Sequence, residues 1–183
     1  SDDSNLYFEI AIIENFTHEA AYSQDDLEFI VHQEKITEAF EALLPFFNIQ
    51  VNLHWYSLND YPEIQVFFDT ATTEYADYYQ IEVTQGSPQS ILDYFAENLD
   101  KFVDLHSDGI NFPTMAFLMN KTRMSYYGTR FGGLGGMGWQ IIAYQWDRFM
   151  DISVDPPSPK TGISDVIIHE AGHTLGFGHP HHG

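Results

Sequence analysis

The feature that most constrains this 183-residue chain is the run His169-Glu170-Ala171-Gly172-His173-Thr174-Leu175-Gly176-Phe177-Gly178-His179. Its pattern is H-E-x-x-H-x-x-G-x-x-H. Histidines four apart differ by about 40° of rotation on an α-helix, so His169 and His173 project side by side. Two imidazoles so placed can reach one ion at about 2.0–2.1 Å, the length of a zinc–imidazole bond. At roughly 100° per residue, Ile163, Ile167, Ala171 and Leu175 fall on a row nearly opposite. The spacing therefore predicts a helix from about Thr161, with one apolar face to bury on a sheet and one face open to a cleft. Gly176 follows, and glycine tolerates the left-handed conformation that ends a helix. The chain can turn there and bring His179 back as a third ligand.

Three neutral nitrogens and an open fourth position describe a catalytic zinc site rather than a closed structural one. Glu170 stands about 60° from His173 around the axis, beside the ion without ligating it, where a general base is wanted. Zinc held there activates water and polarises a carbonyl; Glu170 takes the proton and can return it to a leaving amine. That is peptide-bond hydrolysis without a covalent intermediate. The chain has no cysteine, which removes disulfides, thiolate metal sites and a thiol nucleophile. His181 and His182, just past His179, are alternative ligands or solvated residues, the latter being the preferred reading. His18, His32, His54 and His106 show no ligand spacing and are assigned no role.

Charge divides the chain. Of the 27 acids, 22 lie in residues 1–108 with only Lys35 and Lys101 beside them, so that part carries the whole net charge of −20. Residues 109–183 are neutral. Such acidity repels phosphate and argues against nucleic-acid binding. No apolar run approaches the roughly 18–20 residues of a membrane span. Hydrophobic residues make up 44%, enough for a packed core.

Periodicity places the elements. Residues 6–16 read as a buried strand. Ser23 is a helix N-cap candidate, and the helix after it runs to about Phe47, with Phe29, Ile36, Phe40, Leu43 and Phe47 on one face. Glu28, Glu34, Glu38 and Glu41 point the other way. Ile49 to Leu58 alternates as a half-buried strand; residues 63–70 and 78–84 are further strand candidates. Ser87-Pro88 opens a second helix, with Ile91, Phe95, Leu99, Phe102 and His106 on one stripe and Asp93, Glu97, Asp100 and Asp104 largely off it. Thr114 to Met119 and Gln140 to Trp146 read as strands, and Gly128 to Gly138 between them is glycine-rich. The sum is one α/β (α+β) domain over 1–183, built on a twisted, mostly parallel or mixed sheet.

The motif resembles that of the metzincin zinc endopeptidases, and its form His-Thr-Leu-Gly-Phe-Gly-His-Pro is most similar to matrixin and serralysin versions. The resemblance is tight over 169–180 and loose elsewhere. It implies an upper subdomain (1–178) with a twisted five-stranded sheet and long helices, ending in the zinc-binding helix. It implies Zn2+ on His169, His173 and His179 with Glu170 as base, and a secreted enzyme acting on protein or peptide substrates. It also implies that the sheet's edge strand upstream of the zinc helix holds substrate by β-augmentation. The candidate rim lies within Thr122 to Gln140, at Gly132, Gly133, Leu134, Gly135 and Gly136, where glycines let a peptide backbone approach closely. Asp147, Asp151 and Asp155 are a candidate calcium series or a solvated loop. Metzincins continue into a lower subdomain with a methionine-containing turn. Here only the start of one, 179–183, is present, and Met124-Ser125-Tyr126-Tyr127 lies upstream, where the family does not place that turn. The expectation is a missing C-terminal segment or a partner chain that completes the cleft. The competing reading is a non-catalytic structural or assembly module that keeps its zinc as a fold element.

Overall fold

A computed structural model of the chain describes residues 4–15, 33–67, 73–74, 79–82, 88–119, 122–126, 129–131, 133–136, 139–145, 150–151, 158–159 and 168–169. The first strand, β1 (Asn5–Asn15), organises the rest. Its alternating side chains are buried on both faces: Leu6, Phe8, Ile10 and Ile12 on one, Tyr7, Glu9, Ala11 and Ile13 on the other. A strand hidden on both sides belongs inside a parallel sheet covered by helices. Accordingly β1 pairs in parallel with β2 (Asn48–Ser57) on one side and with β5 (Ile110–Met119) on the other. Beyond β5 comes β9 (Trp139–Gln145), also parallel, and then the antiparallel edge strand β8 (Gly133–Gly136). The five-stranded sheet has the order β2-β1-β5-β9-β8. A mixed sheet with helices is therefore observed, in line with the α/β expectation.

A second sheet orders β3 (Thr73–Glu74), β4 (Tyr79–Glu82), β6 (Thr122–Tyr126) and β7 (Thr129–Phe131). A two-stranded pair joins β10 (Met150–Asp151) and β11 (Ser158–Pro159).

Helix α1 (Gln33–Leu43) covers the even face of β1 through Ile36 and Phe40. The Phe40 ring stacks on Phe8 with centroids 4.0 Å apart. The helix stops at Leu43, not near Phe47, because Pro45 cannot continue it and disfavours helical backbone at the residue before. Leu43 and Phe47 consequently leave the predicted buried face, at 56% and 39% exposure. Phe29 and Glu28 lie outside the described residues, while Glu34, Glu38 and Glu41 are exposed as expected.

The predicted strand at 63–70 is a correction. Leu58–Asp60 forms a 3-10 turn and α2 (Pro62–Gln65) a single helical turn. Pro62 sits at the helix start, where its missing N–H costs nothing. The stripe of the second predicted helix is interrupted too. Helix α3 (Pro88–Glu97) ends before Asn98, whose side chain donates to the Tyr94 carbonyl at 2.7 Å, and α4 (Leu99–Phe102) follows as one turn. His106 thus lies beyond the helices. Asp93, Glu97, Asp100 and Asp104 all face solvent.

The odd face of β1 carries a core cluster. Ala11 and Ile13 pack there with Ile91, Phe95, Phe102, Met115 and Phe117. Around Phe102 stand Tyr56, Tyr61 and Tyr94. Burial, then hydrogen bonding to Glu63, pushes the Tyr94 hydroxyl well above the usual tyrosine range; it donates to Glu63 Oε1 at 3.0 Å. Burial, then the charges of Asp60 and Glu63, raises Tyr61 as well. A group whose folded pKa is raised stabilises fully below its unfolded pKa, and that contribution fades as pH rises through the folded value. The urea midpoint should therefore fall once pH passes the ordinary tyrosine value of 10.0, and Tyr94→Phe should flatten that fall. Tyrosinate absorbance rising near that pH with no loss of stability would contradict this.

Candidate functional site

Of the histidine motif, only His169 lies within the described residues. His169 has helical backbone together with Ile168; its side chain is exposed and that of Ile168 half-buried. Glu170, His173 and His179 lie outside the described residues, as do Ile163, Ile167, Ala171 and Leu175. The set fits zinc by its donor chemistry: three imidazoles and an adjacent carboxylate, with no thiolate. Of the candidate rim, Gly133, Leu134, Gly135 and Gly136 form β8, the edge strand of the main sheet; Gly132 is outside the described residues. β8 is hydrogen-bonded to β9 with Gly135 opposite Gln140 and Gly136 opposite Trp139. Asp151 lies in β10, while Asp147 and Asp155 are outside the described residues. Met124 sits in β6.

A different group of ionisable side chains meets on the main sheet. Glu9 occupies the middle of β1, and its side chain is fully buried. Two histidines close on it. His54 of β2 lies opposite Ala11 in the parallel register, so it shares the odd face of the sheet with Glu9. Its Nε2 is 3.0 Å from Glu9 Oε2. His106, in the segment between α4 and β5, brings its Nε2 to 2.5 Å from Glu9 Oε1. Both oxygens of one carboxylate are thus engaged by imidazoles from elements 45 and 97 residues away.

The position of His106 is set by its own contacts. Its backbone N–H donates to Asn111 Oδ1, and Asn111 Nδ2 donates back to the His106 carbonyl, both at 2.9 Å. Its ring stacks on Tyr7 with centroids 3.7 Å apart and planes 7° apart. The Tyr7 hydroxyl donates to Asp108 Oδ1 at 2.8 Å, and Asn5 Nδ2 donates to the Asp108 carbonyl at 2.9 Å. Gly109 completes this turn. A Cβ there would collide with the Asn5 carbonyl oxygen, so only glycine lets the turn lie against the start of β1.

Asp104 extends the cluster from the solvent side. One ligand atom each from Glu9, His54 and Asp104 lie within 4.8 Å of one another, a spacing that can hold a metal ion. The histidines are partly covered, at 20% and 25% exposure, while the carboxylate between them is fully buried. His54 and His106, assigned no role from the sequence, both meet the buried Glu9 carboxylate. The local signal was Glu9 itself, the one charge in the buried run from Leu6 to Ile13.

No protein-family model, curated protein or solved structure matches the chain. Among the described residues no helix is long and apolar enough to cross a membrane.

Proposed function

We propose that the chain is a zinc-dependent endopeptidase of metzincin type, with His169, His173 and His179 as zinc ligands and Glu170 as general base. The observation that carries this reading is the complete H-E-x-x-H-x-x-G-x-x-H pattern, with Gly176 in register for the turn to His179. A bound zinc ion would supply an acidified water and polarise the scissile carbonyl. Glu170 then accepts a proton from the attacking water and delivers it to the leaving amine.

The main sheet supports the same reading. It has five strands and ends in β8, rich in glycine and paired to β9 on one side. An extended peptide laid along the other side of β8 gains main-chain hydrogen bonds, and three glycines in the four residues let its backbone come close. This suits a protease that accepts varied sequences, because backbone groups rather than side chains hold the substrate.

Casein tests the reading. Cleavage by the purified protein should stop on adding a zinc chelator and return on adding Zn2+. A protein that holds zinc on the motif histidines yet leaves casein and mixed peptides intact is instead a non-catalytic module.

A further inference from the structure

We infer that Glu9, His54 and Asp104 form a second metal site, separate from the histidine motif, for a divalent ion of the zinc class. A carboxylate taken out of water needs a positive partner, and the ion-pair partners described for Glu9 are both histidines. An imidazole supplies charge only when protonated, and Asp104 brings a second carboxylate to the same place. A divalent cation balances two carboxylates without needing protons.

The geometry separates ligands from supports. Ligands on one zinc ion at about 2.0–2.2 Å lie roughly 3–4 Å apart. The 3.0 Å between His54 Nε2 and Glu9 Oε2 suits two such ligands. Asp104, within 4.8 Å and exposed, closes the set by a small side-chain rotation. His106 at 2.5 Å is too close to Glu9 Oε1 to share the ion with that oxygen. It serves as a positioning residue that orients the ligating carboxylate, as outer partners do in metal sites. The stack on Tyr7 and the paired bonds to Asn111 hold it there. An imidazole among few ligands favours zinc over calcium or magnesium, which take six or more oxygens or keep their waters. Bound there, the ion ties β1 to β2 and to the segment after α4.

Zinc content of the metal-stripped protein after titration with Zn2+ tests this. The wild type should bind two equivalents. His169→Ala with His173→Ala should leave one. Adding Glu9→Gln to that pair should remove the last. Asp104→Asn lies on the surface and should fold normally, yet weaken the remaining site by roughly tenfold or more, and His106→Ala by about 10–100-fold. Ca2+ in excess should not displace the zinc. Should Glu9→Gln fail to fold by circular dichroism, Asp104→Asn and His54→Gln carry the comparison. A folded motif double variant that binds no zinc overturns the site. So does zinc that binds equally well after Glu9→Gln or Asp104→Asn. One equivalent in both the wild type and the double variant would leave this site standing and remove the protease reading.

Discussion

Replacing Glu170 by glutamine should lower kcat/KM for peptide cleavage by about 10²–10⁴-fold, the range general acid–base catalysis contributes, while zinc content stays at the wild-type value. Glutamine keeps the size and polarity of the side chain but cannot accept a proton. On the proposed helix an offset of about 60° from His173 would set Glu170 beside the metal rather than on it, so the substitution should leave the ligand set untouched. His173→Ala should behave differently, losing cleavage together with one equivalent of zinc, the one proposed on the motif histidines. The acid limb of the pH–rate profile should disappear with Glu170→Gln, because that limb reports the base losing its charge. If Glu170→Gln binds zinc and cleaves casein as fast as the wild type, the carboxylate is not the base and the mechanism proposed here is wrong.

Much of the fold was legible because burial follows local periodicity. Strand β1 was readable from Leu6 to Ile13, where every residue is buried, and β2 from the alternation of Ile49, Val51, Leu53 and Trp55. Ile91, Phe95 and Phe102 were found at helical spacing, and all three are fully buried. The errors cluster where a single residue changes the backbone. Pro45 ends α1 four residues before the periodicity does. Asn98 breaks the second helix between Phe95 and Leu99, so spacing from Ile91 could not locate His106. Pro62 turns a run that looked extended into one turn of helix.

The group around Glu9 was illegible for another reason. Metal-ligand spacing is readable only when the ligands lie close in sequence, as the proposed ligands His169, His173 and His179 do. Here the residues come from β1, β2 and the segment after α4, and only the parallel register of β1 with β2 puts His54 on the face that holds Glu9. The division of charge gave no signal for this group either. Exposed acids on α1 and α3 explain part of the excess in residues 1–108, yet those same residues contain this cluster. The acidic part is scaffold on its outer faces and a candidate metal centre on the sheet.

Phe102→Ala should cost about 3–5 kcal/mol, the usual range for emptying a buried phenylalanine site. The ring is fully buried on the odd face of the sheet, with Tyr61 at 5.0 Å, Tyr56 at 5.7 Å and Phe95 at 6.0 Å between centroids. These neighbours come from β2, the turn before α2, and α3, so no single element can shift to fill the space. The Tyr56 hydroxyl also donates to the Phe102 carbonyl at 2.6 Å, which fixes the backbone at the end of α4. Domains of this kind are stable by about 5–15 kcal/mol, so one truncation removes a large share. The urea midpoint should drop with little change in slope, because the surface exposed on unfolding is nearly the same. Tm should fall by roughly 6–20 °C at about 2–4 °C per kcal/mol. Phe102→Leu should recover much of the loss, since leucine refills most of the volume. Phe40→Ala provides the contrast on the even face. It should destabilise comparably while leaving zinc affinity at the inferred Glu9 site unchanged, whereas Phe102→Ala should weaken both, because Asp104 and His106 lie two and four residues after it. Equal zinc affinity in the two variants would separate the packing around Phe102 from the placement of Asp104 and His106.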